Sequence, residues 1–271
     1  MGIRAVKVSI IIPVYNEAQT VLTLLENTWA APTPGIEKEL VIVESNSADG
    51  TRERVQRFCD VKRATRPDGV RFVPQERAMG KGSAVREGIA ASTGDIILIQ
   101  DGDLEYSAQD YPALLQPIVD GKAAFVLGSR IMGLKTWKIR KFPGAPVKEW
   151  YLNIGGVLFH AFFNLMYQQH LTDPTTMFKV FRRDCLDEIT LVSNRFDLDW
   201  EIVAKLVRGG FIPLEVPISY NSRGFDEGKK TLLFSDPLNW IAAIVRFRFS
   251  PLKVSRQDRE TRQESPPLRP S

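Results

Sequence analysis

The residues best suited to chemistry lie in an acidic segment that directly follows the apolar run Ile96–Gln100. Asp101, Asp103 and Glu105 bring three carboxylates together at close spacing. Such hard oxygen ligands suit Mg²⁺ or Mn²⁺ and would leave coordination positions for substrate phosphates. Gly102 would let the backbone turn so that both aspartates approach one ion. An acidic turn that caps the next helix explains the same residues, so this segment alone leaves both interpretations open.

Polar side chains also follow the apolar runs Val8–Val14 and Leu40–Val43. They are Tyr15, Asn16 and Glu17 after the first run, Glu44, Ser45, Asn46 and Asp49 after the second, and Lys81 between two glycines ahead of a predicted helix. Open α/β sheets bind their ligands at the carboxyl ends of the strands. We therefore expect these side chains to share one edge of a sheet with Asp101 and Asp103.

Strand and helix patterns alternate through the first half of the chain. The predicted strands are Val8–Val14, Leu40–Val43, Arg71–Val73, Asp95–Gln100 and Ala123–Leu127. The predicted helices are Val21–Trp29, Thr51–Cys59, Ser83–Ala91 and Asp110–Val119. Continuous β-branched runs are typical of strands buried on both faces. The alternation predicts an α/β fold, with a mostly parallel central sheet and helices on both faces.

The second half of the chain has fewer regular patterns. Residues Ile131–Val147 are rich in lysine, glycine and proline, which predicts a long mobile loop. A helix is predicted over 236–249, where Asp236 would cap and Pro237 fits the first turn. We predict one domain over residues 1–254, whose second half completes the site, and a disordered polar tail over 255–271.

The composition of the 271 residues is that of a globular protein, with 36 lysines and arginines against 32 aspartates and glutamates. This mild excess suits an anionic substrate or membrane surface, and no nucleic-acid-binding motif is present, so nucleic acid is not an expected partner. Cys59 and Cys185 lack metal or redox spacing, and the N-terminus lacks the apolar region of a signal peptide. The expected localisation is cytoplasmic, either free or peripheral at the cytoplasmic face of a membrane.

Taken in order, the strand ends, the glycine-flanked lysine and the aspartate pair resemble family 2 glycosyltransferases, which have the Rossmann-like nucleotide-diphospho-sugar transferase (GT-A) fold. The resemblance covers roughly Val8 to Thr231. Within the family, the segment 101–105 is most similar to that of dolichyl-phosphate mannosyltransferases and other polyprenyl-phosphate glycosyltransferases. The resemblance implies a GDP- or UDP-sugar donor, a lipid-phosphate acceptor, and Mg²⁺ or Mn²⁺ as cofactor.

The resemblance also implies roles for individual residues. The metal would be held by Asp101, Asp103 and Glu105. Donor contacts would come from Pro13, Tyr15, Glu17, Glu44, Asp49, Lys81, Asp101, Gly102, Asp103, Arg130, Arg223 and Lys229. The catalytic set would be Asp101, Asp103, Arg130, Asp173 and Glu201. Pro13, Tyr15 and Glu17 match positions around the nucleobase and ribose, and Arg130 matches an arginine near the phosphates. The basic segment from Arg223 to Lys230 resembles a flexible loop that closes on the donor.

Two departures from the family pattern bear on specificity. Glu44-Ser45-Asn46 replaces the usual pair of aspartates, which leaves the identity of the nucleotide open. Met177 and Lys179 replace the usual glycine and arginine, which leaves details of the acceptor open.

The segment from Trp150 to Thr172 contains no charged residue and is long enough to span a membrane. A span here would place Asp101–Glu105 and Lys229-Lys230 on opposite sides of the bilayer, although both should meet one donor. Polar residues 153, 160, 164 and 168 also fall near one helical face. We therefore predict an amphipathic helix, either packed on the core or lying at a membrane interface, and the helix over 236–249 has the same two interpretations.

The sequence leaves more than one function open. Transfer to a polyprenyl phosphate is the leading hypothesis, and transfer to a soluble or polysaccharide hydroxyl is the alternative within the family. A phosphate acceptor is already ionised, whereas a hydroxyl would need a base, for which Asp173 or Glu201 would serve. Nucleotidyltransferases and dinucleotide-dependent oxidoreductases expect glycine-rich motifs after the first strand, which are absent here. A different class of protein, a non-catalytic membrane-associated adaptor, is a further alternative. Such an adaptor would not need three carboxylates close together.

Overall fold

The computed structural model describes residues 5–133, 146–222 and 235–253. The strands are β1 Lys7–Val14, β2 Glu37–Glu44, β3 Val70–Pro74, β4 Ile96–Ile99, β5 Phe125–Ser129, β6 Lys179–Arg182 and β7 Leu214–Pro217. The helices are α1 Val21–Ala30, α2 Thr51–Thr65, α3 Lys81–Ala91, α4 Tyr111–Val119, α5 Pro146–Tyr167, α6 Leu198–Arg208 and α7 Ser235–Phe249. Each strand and helix predicted in the first half is present, with ends that differ by a few residues.

The strands form one sheet in the order β3-β2-β1-β4-β6-β5-β7. β6 is antiparallel to both β4 and β5, and the other pairings are parallel. The strand order reverses between β1 and β4, which is where an open α/β sheet forms a crevice for ligands. The predicted α/β class, with a mostly parallel central sheet, is confirmed.

The core explains why both faces of the sheet are covered by helices. Ile10, Ile11 and Ile12 of β1 are all fully buried. Because successive side chains of a strand point to opposite faces, burial of three in a row requires cover on both sides. The continuous apolar runs in the sequence therefore reflect a two-sided core.

Two strands of the sheet, β6 and β7, were not predicted from the sequence. β6 and β7 have only four residues each, and β6 begins with Lys179 and ends with Arg182. Such short, partly charged segments carry no recognisable alternation. Of the loop predicted over Ile131–Val147, residues 134–145 lie outside the described part of the chain, and its last two residues begin α5. The predicted tail over 255–271 also lies outside it, and the division into one domain and a tail remains a prediction.

Helix α5 packs on the core through the apolar Phe163 and Tyr167 together with the polar Asn153 and His160, which are 4% and 7% exposed. Its outer side is also apolar, since Leu158 and Leu165 are 64% and 77% exposed. The inward polar groups have partners: the amide of Asn153, for instance, donates to the Glu149 carbonyl at 2.8 Å. Among the helices that the structure describes, none is long and apolar enough to cross a membrane.

Helix α7 packs against α5 and α6 and continues this outer surface. Ile244 and Phe247 are fully buried, and the Trp240 ring meets Phe159 of α5 edge-on at 5.4 Å between centroids. The exposed apolar side chains of the two helices are Trp150, Val157, Leu158, Leu165, Ile241, Val245 and Phe249. We call this set the α5/α7 apolar face. Arg246, beside it on α7, is exposed.

Candidate active site

The ends of β1 and β4 meet closely at the switch point of the sheet. A Cβ atom added to Gly102 would lie 2.5 Å from the Pro13 carbonyl oxygen, far inside van der Waals contact. Only glycine therefore lets the backbone after β4 approach β1 this closely. The sequence suggested that Gly102 permits a turn, and the structure gives close approach as the reason for a glycine. Asp101 and Asp103 are consequently held beside the end of β1.

The loops after β1 and β2 are joined by hydrogen bonds. Asn16, in the left-handed region with φ of 49°, accepts a bond from the Ala48 N–H at 3.1 Å and donates its own N–H to the Ser47 hydroxyl at 2.9 Å. The N–H of Glu17 donates to the Thr51 hydroxyl at 2.9 Å. These bonds fix the backbone that directly follows the exposed Tyr15. Tyr15 thus lies at the edge where a base or sugar was expected.

Asp49 organises the same junction. Its carboxylate accepts the Ala18 N–H at 3.0 Å and the Thr51 hydroxyl at 2.5 Å. Burial by itself would raise the pKa of Asp49, but the hydrogen bonds from Thr51 and Ala18 lower it below the usual value. Asp49 therefore remains an anion that shapes the site, and its expected contact with a donor stays a prediction.

Glu44 ends β2 and is fully buried. One carboxylate oxygen accepts the Ser47 N–H at 2.7 Å, and the other is paired with Arg52. Arg52 also donates to the Gln75 carbonyl at 2.6 Å. A direct contact with a nucleobase would require the Glu44 carboxylate to leave Arg52. The geometry therefore supports a role for Glu44 in shaping the turn after β2.

The three carboxylates that follow β4 do not converge. Asp101 pairs with Lys81, Asp103 accepts the Glu105 N–H at 3.0 Å, and Glu105 accepts the Tyr220 hydroxyl at 3.0 Å. Within the described ranges, no group of three histidine, cysteine, aspartate or glutamate side chains could hold a metal ion. Each carboxylate thus has a different partner in this structure, and the expected three-carboxylate metal set stays a prediction.

A smaller ligand set still fits a divalent ion. Mg²⁺ is commonly bound by one or two carboxylates together with substrate phosphates and water. Asp101 and Asp103 supply two carboxylates at the strand end, held by the close approach of Gly102 to β1. The residues therefore fit an ion shared between these two aspartates and a diphosphate, and Glu105 as a third ligand stays a prediction.

Lys81 is the first residue of α3 and reaches the aspartate segment. Its ammonium nitrogen lies 2.5 Å from Asp101 Oδ1 and 3.9 Å from Asp199 Oδ2, at the start of α6. Lys179, fully buried at the start of β6, lies 3.3 Å from Asp199 Oδ1. Burial would lower the pKa of Lys81, but Asp101 and Asp199 raise it above its usual value. Asp101, Lys81, Asp199 and Lys179 thus form a row of alternating charges along the floor of the crevice.

The glycines beside Lys81 are required by the loop that follows β6. Added Cβ atoms would lie 2.5 Å from the Asn194 carbonyl oxygen at Gly80 and 2.5 Å from the Ser193 carbonyl oxygen at Gly82. The Ser83 N–H also donates to the Asn194 carbonyl at 3.1 Å. The start of α3 is therefore packed too tightly for a larger residue, which fixes the backbone that carries Lys81.

Glu201 of α6 binds the backbone of the loop that follows β6 and does not reach the edge of the sheet. It is fully buried and accepts the N–H groups of Val192 and Ser193 at 2.9 Å and 2.7 Å. Lys205 pairs with it at 2.6 Å. Both carboxylate oxygens accept bonds from structural partners, so the geometry supports loop positioning, and the catalytic role expected for Glu201 stays a prediction.

Arg130 follows β5 and is held by Asp173 in a two-pronged ion pair. Its Nε and Nη2 lie 2.7 Å and 2.8 Å from the two Asp173 oxygens, and its backbone N–H donates to Asp173 at 3.0 Å. Asp173 is fully buried. Burial by itself would raise its pKa, but Arg130 lowers the pKa of Asp173 to about 2. Asp173 is therefore a permanent anion that orients Arg130.

Several neighbours of this pair were missed or read differently from the sequence. His160 of α5 contacts the Thr175 hydroxyl at 2.9 Å, and Thr175 also accepts a bond from Arg130 at 3.0 Å. Tyr220 lies under the Arg130 guanidinium, 5.2 Å from its ring centre. Asp199 lies two residues before Glu201, which the resemblance placed in the catalytic set. His160 and Tyr220 carried no pattern, because only the packing of α5 and the end of β7 brings them here.

The remaining expected residues divide into two groups. Pro13 and Glu17 lie at the end of β1 as expected, where Glu17 accepts the Thr20 hydroxyl at 2.7 Å. Arg223, Lys229 and Lys230, with the loop expected to close on a donor, lie outside the described residues.

Comparison with known proteins gives the family. The protein-family model described as glycosyl transferase family 2 matches residues 9–190 of this chain. Glycosyltransferase AglJ of Haloferax volcanii is 28% identical over 233 residues, which are 85% of this chain and 67% of that protein. The dolichol-phosphate mannosyltransferase of Pyrococcus furiosus is 26% identical over 226 residues, which are 82% of this chain and 59% of that protein. The chain thus spans about three fifths to two thirds of the length of these curated relatives.

Solved structures share the fold. Glucosyl-3-phosphoglycerate synthase from Mycobacterium tuberculosis, in complex with Mg²⁺ and uridine-diphosphate, matches with a TM-score of 0.62 at 19% identity, over 90% of this chain and 80% of that one. The same enzyme in complex with Mn²⁺, uridine-diphosphate and glucosyl-3-phosphoglycerate also gives 0.62, at 18% identity over 90% of this chain and 81% of that one. At such identities the match establishes a common fold.

Proposed function

Since the chain belongs to the family 2 glycosyltransferases and is itself a glycosyltransferase, we propose that it transfers a hexose from a GDP- or UDP-sugar to a polyprenyl phosphate. The proposal includes dependence on Mg²⁺ or Mn²⁺ and peripheral contact with a membrane. The relative named dolichol-phosphate mannosyltransferase supports the class of acceptor, although this chain spans only part of that protein.

On the donor side, the chemistry is the departure of a nucleoside diphosphate, which gains negative charge as the sugar leaves. A bound divalent ion would neutralise part of that charge, and Asp101 and Asp103 are the residues that would hold it. Arg130 adds a positive charge whose direction is fixed by Asp173. A cation held in place before the reaction stabilises developing charge without reorganisation. Tyr15, exposed between two hydrogen-bonded loops, would contact the nucleoside.

On the acceptor side, the expected bases are not available for proton abstraction. Asp173 is buried against Arg130, and Glu201 is buried against two backbone N–H groups and Lys205. A hydroxyl acceptor requires a base within hydrogen-bond reach, whereas a phosphate monoester is already ionised at neutral pH. The occupied state of both carboxylates therefore favours a phosphate acceptor over a hydroxyl.

The observation that carries the lipid assignment is the apolar outer side of α5. A helix that packs only on a protein core turns polar side chains toward water. Here α5 buries Phe163 and Tyr167 together with Asn153 and His160, and the α5/α7 apolar face still points outward with Arg246 beside it. Apolar insertion together with a basic contact gives reversible binding to an anionic bilayer, weakened by salt. A lipid-linked phosphate would be reached from that surface.

The assay supplies radiolabelled GDP-mannose or UDP-glucose, Mn²⁺ and a polyprenyl phosphate in vesicles containing anionic lipid, and follows label into the organic phase. Label in the organic phase supports the proposal. Label that instead enters an added soluble or polysaccharide acceptor would move the assignment to hydroxyl transfer. Vesicle binding without turnover of any donor would favour a non-catalytic adaptor.

A pair of variants tests the membrane contact. Leu158→Ser with Leu165→Ser should reduce sedimentation with anionic vesicles and transfer to lipid together, while donor hydrolysis in solution persists. Val61→Ser on α2 is the matched control, because Val61 is also 64% exposed but lies on another surface. Unchanged vesicle binding in the double variant would contradict the proposed contact. Ile244 of α7, a helix that the sequence allowed at a membrane interface, is buried in the core and is unsuitable for this test.

A further inference from the structure

We propose that Lys81 is an internal counter-ion of Asp101, which a divalent ion must displace, and that Asp199 takes up the displaced ammonium group. The inference rests on the metal-dependent transfer proposed above and adds a step that precedes it. In that step a cation built into the protein is exchanged for a metal ion.

The geometry gives the lysine one close and one more distant carboxylate. Lys81 Nζ lies 2.5 Å from Asp101 Oδ1 and 3.9 Å from Asp199 Oδ2. Its other close contact is the sulfur of Met177 at 2.9 Å, a weak acceptor that does not neutralise the ammonium charge. Lys81 can therefore pair with either Asp101 or Asp199. In the structure it pairs with Asp101, the carboxylate expected to bind metal.

Simultaneous occupation of Asp101 Oδ1 by both cations is unfavourable. A magnesium ion would lie about 2.1 Å from a ligating oxygen, and the ammonium already lies 2.5 Å from that oxygen. Two cations at such separations repel strongly in a partly buried site. An ion that uses this oxygen must therefore displace the ammonium from it.

The displaced ammonium has a short path to Asp199. Closing the 3.9 Å separation to an ordinary charge-assisted hydrogen bond of about 2.8 Å requires a movement of about 1 Å, which a flexible lysine stem accommodates. The backbone does not need to move, because Gly80 and Gly82 are packed against the 193–194 loop. Asp199 already faces Lys179, so it would then hold two ammonium groups.

The test is a titration of Mn²⁺ alone, without nucleotide, into the full chain, followed by electron paramagnetic resonance of the free ion. Lys81→Met keeps the length of the side chain and removes the competing cation. We expect it to bind Mn²⁺ at least about tenfold more tightly than the wild type, or about 1.4 kcal/mol. Lys62→Met is the matched control, because Lys62 is paired with Glu26 at 2.7 Å and is similarly shielded, but lies on α2. It should leave the affinity unchanged.

A double-mutant cycle separates displacement from a general field effect. Asp199→Asn should weaken Mn²⁺ binding in the wild type, because the displaced lysine loses its acceptor, and should have little effect in the Lys81→Met background. Effects of the two substitutions that simply add would overturn the inference, as would equal affinity of Lys81→Met and the wild type. Circular dichroism of each variant checks the fold, and Lys81→Met carries the test if Asp199→Asn unfolds.

Transfer measured on the same preparations separates this inference from the proposed function. Wild-type transfer that requires Mn²⁺, combined with equal affinities, refutes the counter-ion exchange alone. Absence of both Mn²⁺ binding and transfer in every protein refutes the exchange and the metal-dependent function together.

Discussion

Replacement of Asp173 by asparagine should destabilise the protein and leave Arg130 without an anionic partner. The substitution keeps the size of the side chain but removes the charge that faces the guanidinium at 2.7 Å and 2.8 Å. Both groups are shielded from water, with Asp173 fully buried. Loss of one member of such a pair leaves a buried charge uncompensated, which costs about 3–5 kcal/mol of unfolding free energy.

Protonation gives a second, smaller measure of the same interaction. The pKa of Asp173 falls from its ordinary value of 3.8 to about 2, against the effect of burial, because Arg130 favours the anion. A depression of this size corresponds to roughly 2 kcal/mol of stability. Because the folded-state pKa is the lower one, this stability is fully present above the unfolded pKa and is lost as pH falls from about 5 toward 2.

Urea unfolding of the wild type and of Asp173→Asn at a series of pH values from 7 to 2.5 measures both quantities. The difference between them should be about 3–5 kcal/mol at pH 7 and should shrink as the wild-type carboxylate becomes protonated. Asp184→Asn is the matched control, because Arg182 binds Asp184 with the same two-pronged geometry on an exposed surface. Its cost should stay below about 1 kcal/mol. A difference for Asp173→Asn below about 1 kcal/mol, or one independent of pH, would refute the role given to this pair.

Three further substitutions test other parts of the site. Asp103→Asn keeps the oxygen that caps the Glu105 N–H, so the melting temperature should be unchanged while transfer falls at least about a hundredfold; retained turnover at saturating Mn²⁺ would remove the metal assignment. Gly102→Ala places a Cβ 2.5 Å from the Pro13 carbonyl oxygen and should cost about 1–3 kcal/mol in chemical denaturation, with weaker nucleotide binding by calorimetry. Glu201→Gln should lower stability by about 3 kcal/mol yet retain transfer per folded molecule, and selective loss of transfer without loss of stability would restore a catalytic role for Glu201.

Periodicity and turn chemistry determined most of the first half of the fold. A run such as Val8–Val14 has no alternation, so burial on both faces and a parallel sheet with helices on either side follow from the sequence itself. The ends of such strands share one edge, which is why Asp101 and Asp103 could be placed beside Pro13 before any contact was known. Turn residues in the sequence also placed the ends of the loops after β1, β2 and β4 to within a few residues.

The pairing of charges within the site was decided only by the tertiary structure. Lys81 and Asp199 are separated by 118 positions, and no sequence pattern reports which carboxylate a lysine faces until α3 and α6 pack at one edge. The orientation of α5 is a second example, because apolar residues lie on two of its sides and helical periodicity cannot say which of them turns inward. The buried side holds Phe163 and Tyr167, with partners for Asn153 and His160 from the helix backbone and from Thr175. Patterns along the chain thus determine which groups share a face, whereas long-range packing determines what each group meets.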